Sequence, residues 1–209
     1  KNYSGFEPAN AKIAILPGSR PAELHSLWRP MQQIALRIKT HLPGVQFITV
    51  AADEKIMADL AASQIPGFEC QYSADSAIAT AGQCDFAIVA SGSVTLQVAA
   101  AGCPMVIMYQ TSPILWHLAG RWLVRTKFLS LPNILAGREI VPEFMPYFTS
   151  IEPIADKCLE ILGSTDSLTS VSRTLAALTA PLAEKKASGN VAEMIIKLLA
   201  EKNADSSRD

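Results

Sequence analysis

Short apolar segments alternate along this chain with longer segments in which apolar residues recur every three or four positions. The short segments are apolar along most of their length, as is typical of strands that are buried on both faces of a sheet. No strand is predicted after the segment 130–143. The predicted strands are residues 12–16, 45–51, 68–72, 86–90 and 104–109.

The longer segments predict helices. In the first of them, apolar residues from Leu24 to Leu42 follow spacings of three and four, which mark one face of a helix. Asp53 and Ser93 are predicted to cap two later helices, and Gly102 is predicted to end one. The predicted helices are residues 22–42, 53–63, 76–81, 94–101, 114–124, 154–162, 168–178 and 191–201.

This alternation predicts an α/β fold: a Rossmann-like parallel sheet with helices on both faces. The 209 residues fit a single domain. Within it we expect residues 1–10 to be a linker, 151–203 to be a helical tail and 204–209 to be frayed. Ligands of such sheets bind at the carboxyl ends of the strands. The loops after the first, fourth and fifth strands are therefore candidate sites.

Composition narrows the classes of function. Apolar residues make up 49% of the chain and charged residues 18%, and the net charge is −1. This balance offers no basic face for nucleic acid. The apolar stretches are interrupted well before the roughly 18 residues that a membrane span needs. Residues 1–10 are polar and do not resemble a secretory leader, so we expect a cytoplasmic protein.

The cysteines and histidines predict neither disulfides nor a metal site. The cysteines form no C-x-x-C pair and lie in or beside apolar runs, which indicates buried, reduced thiols. The histidines lie far apart in the sequence, with no H-E-x-x-H spacing. These residues are Cys70, Cys84, Cys103 and Cys158, and His25, His41 and His117.

The first candidate site is the turn Gly18, Ser19, Arg20, which follows a strand and precedes a helix that starts near Pro21. Free N–H groups and the positive end of the helix dipole suit a phosphate there, and Arg20 adds a guanidinium fork. The alternative is an ordinary turn with a surface arginine. The dinucleotide and P-loop glycine patterns are both missing from the sequence.

The second candidate site follows the fourth strand. Ser91 and Ser93 offer hydroxyl groups, Gly92 removes bulk, and Gln97 lies one helical turn further on, where it can hydrogen-bond a sugar hydroxyl. The alternative is a capped helix that uses small residues for tight packing. Two helix N-termini at neighbouring strand ends favour a diphosphate ligand.

The third candidate is the segment 130–143, which we predict to be a ligand-contacting loop. Asn133, Arg138 and Glu139 lie among leucine and isoleucine residues there, and the segment is longer than a simple connection needs. The alternative is a structured loop whose polar groups satisfy its own backbone.

The fourth candidate is the helix predicted around Trp116 and Trp122, which also carries His117 and Arg121. Aromatic and basic residues together suit a membrane surface or an acyl chain. The alternative, a core helix with a solvated basic face, is slightly favoured by the pattern alone.

In this order, the segments resemble the C-terminal half of lipid-A-disaccharide synthases. The likeness runs from about Ala11 to Glu143, and its longest part is the last of the matching segments. These are residues 16–20 (LPGSR), 90–93 (ASGS) with Leu96, 103–106 (CPMV), Tyr109 and 130–139 (SLPNILAGRE).

The resemblance implies the C-terminal domain of a GT-B glycosyltransferase, a hexosyltransferase of lipid A biosynthesis. The implied reaction joins UDP-2,3-diacylglucosamine to 2,3-diacylglucosamine 1-phosphate by inverting transfer and releases UDP. The UDP-sugar is a substrate, and no cofactor or metal is implied. The residues implied to bind UDP are Gly18, Ser19, Arg20, Ser91, Gly92, Ser93 and Gln97, and those implied to line the donor site are Asn133, Arg138 and Glu139.

Two positions depart from the family pattern. Ser93 replaces a threonine and keeps its hydroxyl, whereas Gln97 replaces a glutamate. If this position accepts hydrogen bonds from ribose hydroxyls, an amide oxygen is a weaker acceptor than a carboxylate.

In this family the acceptor site and the general base are expected in an N-terminal domain, which has no counterpart in this sequence. The catalytic residue is therefore unassigned. We expect an excised domain, or one member of a split pair, that binds UDP and transfers nothing alone. The expected partners are UDP-diacylglucosamine, diacylglucosamine 1-phosphate, an acceptor domain in cis or in trans, and the inner face of the inner membrane.

Two other functions compete with this expectation. One is an enzyme related to UDP-N-acetylglucosamine epimerases, but those sequences lack the motif at residues 130–139. The other is a non-catalytic domain that binds nucleotide sugars, which Gln97 favours.

Overall fold

A parallel β-sheet forms the centre of the structure. The computed structural model describes residues 1–120, 126–184, 189 and 192–197. In these residues the sheet has six strands, all parallel, in the order β3-β2-β1-β4-β5-β6. The strands are β1 (Lys12–Leu16), β2 (Gln46–Val50), β3 (Gln71–Ser73), β4 (Phe86–Ala90), β5 (Met105–Met108) and β6 (Glu143–Phe144).

Helices follow the strands and cover the sheet. A single turn of 3₁₀ helix (Pro8–Asn10) precedes β1, and α5 continues as a π-helical turn (Trp116–Gly120). The helices are α1 (Pro21–His41), α2 (Glu54–Ala62), α3 (Ala77–Gln83), α4 (Val94–Ala100), α5 (Pro113–Leu115), α6 (Leu131–Ala136), α7 (Glu152–Leu162) and α8 (Thr165–Glu184).

The sheet has a hydrophobic core on each face, which confirms the predicted fold class. Successive side chains of a strand point to opposite faces. Ile13 and Ile15 of β1 therefore pack into one core, which includes Leu27 of α1. Ala14 and Leu16 pack into the other core. The second core is completed by α3, α4 and α8, through Ala81, Val98 and Leu175.

The longest predicted helix is stabilised at both of its ends. Pro21 occupies the first turn of α1, where its missing N–H is not needed, and Glu23 lies in the same turn. Lys39 and His41 lie in the last turn, where positive charge interacts favourably with the helix dipole. Asp53 caps α2 as predicted, because its carboxylate accepts a hydrogen bond from the Ile56 N–H at 2.7 Å.

Parts of the segments predicted as a linker and as a helical tail are buried in the domain. Tyr3 lies in the segment predicted as a linker, yet it is 2% exposed, and its hydroxyl donates to the Asp85 carbonyl at 2.8 Å. In the predicted helical tail, Ile154, Cys158 and Leu175 are fully buried. Tyr3 and the helices α7 and α8 therefore contribute to the cores, whereas the described residues 192–197 are exposed.

The structure corrects several predicted boundaries after residue 110. The segment 130–143 contains α6, and it leads into β6, a strand that the sequence did not predict. β6 pairs in parallel with β5. Because it has only two residues, the sequence contains no apolar run that would predict it. α8 begins earlier and ends later than predicted. The predicted helices 114–124 and 191–201 lie partly outside the described residues, and residues 204–209 lie entirely outside them.

The cysteines are free thiols, as expected. Cys84, Cys103 and Cys158 are buried, and Cys70 is half-buried. Burial raises the pKa of Cys84 to about 11 and that of Cys103 to about 12. These thiols are therefore protonated and unreactive at neutral pH.

Candidate nucleotide-binding site

The two turns that the sequence singles out lie beside each other because β1 and β4 are neighbours. Leu16, at the end of β1, pairs with Val89 of β4. The order of the strands reverses at this point, where open α/β sheets bind their ligands. Both turns open into one cavity of about 370 Å³. Its lining includes Gly18, Ser19, Arg20, Ser91, Gly92, Ser93 and Gln97, which are the residues predicted to bind UDP.

The first turn depends on glycine. Gly18 has a φ of +103°, a left-handed conformation that side chains rarely adopt. A Cβ atom at this position would lie 2.4 Å from Oε2 of Glu23. Arg20 follows two residues later, and its side chain is 81% exposed. The guanidinium therefore presents most of its surface to solvent and to the cavity.

Glu23 is a lining residue to which the sequence analysis gave no role. Its Oε2 accepts hydrogen bonds from the N–H groups of Ser19 and Arg20, at 3.2 and 3.4 Å. Its Oε1 lies 3.2 Å from the Arg20 guanidinium. The signal was present in the sequence, because a glutamate at the third helical position often reaches back to the residues that precede the helix.

The second turn keeps its hydroxyl groups available. The Ser93 hydroxyl does not cap α4, so that prediction was wrong. The Thr95 N–H and the Thr95 hydroxyl both donate to the Gly92 carbonyl, at 3.1 and 2.7 Å. Ser93 and Gln97 are exposed and face the cavity lining. The loss of the predicted cap leaves Ser93 available to a ligand.

The sequence analysis missed the remaining walls of the cavity, which come from the loops after β2 and β3. Ala51 and Ala52 follow β2, and Ala74, Asp75 and Ser76 follow β3. The Ser76 hydroxyl caps α3 by accepting from the Ala79 N–H at 3.3 Å. Small residues and an exposed carboxylate form this side, and neither β2 nor β3 is followed by a recognisable motif.

The segment 130–143 does not contribute to this cavity. Asn133 is fully buried, and its amide oxygen accepts from the N–H groups of Ile140 and Val141 at 2.8 and 3.1 Å. Its amide nitrogen donates to the Val141 carbonyl at 2.8 Å and to Glu143 at 3.0 Å. Asn133 thus fits the alternative interpretation of this segment, a structured loop in which polar side chains make hydrogen bonds to the backbone of the loop. Arg138 and Glu139 are exposed but do not line the cavity.

Glu143 is the second centre of that network. Its carboxylate accepts from the N–H groups of Leu129 and Ser130, from the Ser130 hydroxyl and from Asn133. Burial raises the pKa of Glu143, but these hydrogen bonds outweigh burial and lower the pKa below its ordinary value. The carboxylate therefore serves as an internal support for the segment.

Apolar side chains are exposed on α5 and the turn after it. Ile114 is 71% exposed and Leu118 is 73% exposed, so the described part of the predicted helix 114–124 is not a core helix. Trp116 is half-buried. His117 lies close to the Tyr147 hydroxyl, at 3.1 Å. Trp122 lies outside the described residues.

Membrane-spanning helices were sought in the described part of the chain. No helix there combines the length and the apolar character needed to cross a bilayer.

Comparison with known proteins identifies the family. A family model described as lipid-A-disaccharide synthetase matches residues 1–197. The lipid-A-disaccharide synthase of Geobacter metallireducens is 32% identical over 198 residues, which are 94% of this chain and 50% of that protein. That of Histophilus somni is 35% identical over 165 residues, which are 78% of this chain and 42% of that protein. The chain spans about half the length of the curated relatives it matches.

Solved structures show the same fold at low sequence identity. The C-terminal domain of a group 1 glycosyl transferase (LpcC) from Francisella tularensis has a TM-score of 0.51 and 14% identity, over 82% of this chain and 85% of that one. The spinosyn rhamnosyltransferase SpnG has a TM-score of 0.51 and 16% identity, over 81% of this chain and 42% of that one. With this fold and these relatives, the chain belongs to the lipid-A-disaccharide synthetase family and has the fold of the C-terminal domain of GT-B glycosyltransferases.

Proposed function

We propose that this chain is the donor-binding domain of an inverting glycosyltransferase of lipid A biosynthesis. It binds the UDP part of UDP-2,3-diacylglucosamine, and the sugar is transferred to 2,3-diacylglucosamine 1-phosphate with release of UDP. The observation that carries this proposal is the cavity that the turns 18–20 and 91–93 share. Membership of the family supports the choice of nucleotide and sugar.

The chemistry of the cavity suits a diphosphate with an attached ribose. The N-termini of α1 and α4 direct partial positive charge toward it, and Arg20 supplies a fork for phosphate oxygens. The hydroxyl of Ser93 adds a donor, and Gln97 faces the ribose hydroxyls. During transfer, negative charge grows on the departing UDP, and donors that are already in place stabilise that charge without reorganisation.

The remaining parts of the reaction lie outside this cavity. No residue here is proposed as the general base, which belongs to the acceptor domain of the family. We therefore propose that this domain binds UDP alone but needs the acceptor domain, in cis or in trans, to transfer the sugar.

Both substrates carry acyl chains, and the exposed apolar residues of the α5 region suit them. Ile114 and Leu118 are one helical turn apart and highly exposed, and Trp116 lies between them. We propose that this surface contacts acyl chains or the inner face of the inner membrane.

Titration calorimetry with UDP tests the donor site. We expect saturable binding, and we expect Arg20→Ala to weaken it by about tenfold, the effect of one hydrogen bond to a charged group. Arg173→Ala is the matched control, because it removes an exposed arginine from α8, away from the cavity. Unchanged affinity in Arg20→Ala would remove Arg20 from the site, and no UDP binding by the unaltered chain would overturn the proposal.

Gln97 favours a second candidate, a domain that binds nucleotide sugars without supporting turnover. A chimera decides between the two candidates. In it, this domain replaces the C-terminal half of the Geobacter metallireducens synthase. Disaccharide formation by the chimera supports the enzyme, whereas UDP binding without product, with product restored by Gln97→Glu, supports the non-catalytic domain. The epimerase alternative loses its support, because the chain belongs to the synthetase family.

A further inference from the structure

The anion-binding groups of the first turn are already occupied by a side chain. Glu23 accepts hydrogen bonds from the N–H groups of Ser19 and Arg20 through Oε2. Its second oxygen pairs with the Arg20 guanidinium. These donors lie at the N-terminus of α1, to which, together with the Arg20 guanidinium, the proposed function assigns the diphosphate. An anionic ligand that uses them must take the place of the Glu23 carboxylate.

The carboxylate fits closely, but its hydrogen bonds are long. The Glu23 side chain is 11% exposed and packs against Gly18, where a Cβ atom would lie 2.9 Å from the Glu23 Cβ. The two N–H bonds measure 3.2 and 3.4 Å, longer than the usual 2.9 to 3.0 Å. A ligand that forms shorter bonds to the same groups is therefore able to replace it.

The charges of the cavity also favour displacement of Glu23 by an anionic ligand. Its charged lining residues are Arg20, Glu23 and Asp75, so one cation faces two carboxylates. With Glu23 paired to Arg20, the lining has no net positive charge to offer a diphosphate. When Glu23 turns away, the guanidinium and two N–H groups become available together, and one negative charge leaves their vicinity.

We infer that Glu23 is an internal competitor for the diphosphate: it fills the anion site of the empty domain and is displaced when the nucleotide binds. This inference rests on the proposed function. Glu23 therefore lowers the affinity only for ligands that carry phosphate groups, and it leaves the contacts to the nucleoside unaffected. The displaced carboxylate also gives bound UDP a route of release, since it can return to the same donors after transfer.

The test compares Glu23→Gln with the unaltered chain by titration calorimetry, with UDP, inorganic pyrophosphate and uridine as separate ligands. We expect UDP and pyrophosphate to bind about tenfold more tightly to the variant, the effect of removing one charged competitor for the site. We expect uridine to bind equally to both. Glu69→Gln is the control, because it removes an exposed carboxylate that pairs with Lys39, away from the cavity.

Each outcome decides the inference. Tighter binding of both phosphate ligands to Glu23→Gln, with no gain in the control, supports it. Equal or weaker binding of UDP to Glu23→Gln overturns it and makes Glu23 a support for the turn, while the proposed function stands. Binding of UDP to neither protein overturns the proposed function and this inference with it. Glu23→Ala, verified as folded by circular dichroism, must also bind UDP more tightly, because it removes the competitor without adding a donor.

Discussion

The turns around the cavity and the segment 130–143 are both rich in polar residues, yet they use these residues in opposite ways. In the turns, Arg20, Ser93 and Gln97 are exposed and line a cavity. In the segment, the polar side chains of Ser130, Asn133 and Glu143 bond to one another and to the local backbone. Leu131, Ile134 and Leu135 are exposed on the outer surface of α6, while Arg138 and Glu139 are exposed after the helix ends.

This difference teaches that a specific polar motif is not by itself a binding site. Asn133 and Glu143 replace the hydrogen bonds that a helix–turn–strand connection leaves unmade, so their identity is required by the fold of the segment. The cavity turns have simpler sequences, and the exposed side chains of Ser93 and Gln97 face the cavity, whereas Glu23 occupies the N–H groups of Ser19 and Arg20. The predictions below test this contrast, from the largest expected effect to the smallest.

Asn133→Ala is expected to lower the free energy of unfolding by about 3 kcal/mol, because it leaves buried backbone groups of Ile140 and Val141 without partners. Urea denaturation measures this loss, and Asn10→Ala, at an exposed position, is the control. The UDP affinity of the folded variant should not change. Lost UDP affinity with unchanged stability would contradict our view, and Asn133 would then be a ligand contact, as the sequence alone suggested.

Gly18→Ala tests the conformational demand of the first turn. We expect it to lower the free energy of unfolding by about 2 kcal/mol, because it combines a positive φ with a contact of 2.4 Å to Glu23. Gly92→Ala is the matched variant in the second turn, where an added Cβ meets no atom within 4 Å. Its stability should change little. Equal losses in the two variants would show that the turns have similar backbone requirements.

Leu135→Asp tests the apolar outer surface of the segment. If this surface meets acyl chains or a bilayer, the substitution should reduce co-sedimentation with anionic vesicles by about tenfold, the effect of one apolar side chain. Ile78→Asp is the control, because Ile78 is exposed to a similar degree on α3, at 44% against 49%. Equal co-sedimentation of the two variants would remove α6 from any lipid contact.

The pH dependence of stability reports the Glu143 network. Hydrogen bonds lower the pKa of this folded carboxyl, so its stabilising effect is present above the unfolded pKa of about 4.3 and is lost as the pH falls through the lower folded value. The unfolding temperature of the unaltered chain should fall between pH 5 and pH 3, and it should fall less in Glu143→Gln. Glu139→Gln removes an exposed carboxylate from the same segment. We expect its unfolding temperature to fall with pH as much as that of the unaltered chain. A steep decrease in Glu143→Gln as well would assign the acid sensitivity to other groups.

Much of the architecture could be predicted from the sequence. The buried strands β1, β4 and β5 are apolar at nearly every position, and α1 carries one apolar face over several turns. The local sequence pattern was therefore sufficient to predict these elements. The turns at residues 18–20 and 91–93 were also recognisable, because small residues, proline and a strand end occur together in each. The helix α6 was missed, since Pro132, Asn133 and Gly137 are typical of loops, although proline is tolerated in a first helical turn and glycine ends a helix.

By itself, the sequence determined the α/β class, the family and the two turns that form the candidate site. Only the tertiary structure decided which polar groups remain available there. Periodicity reports the burial of a whole segment, but it does not report which atoms meet across a turn. Asn133 turned inward because the buried N–H groups of Ile140 and Val141 need an acceptor. Glu23 folded back onto the exposed N–H groups of Ser19 and Arg20, which the start of a helix leaves without partners in the backbone.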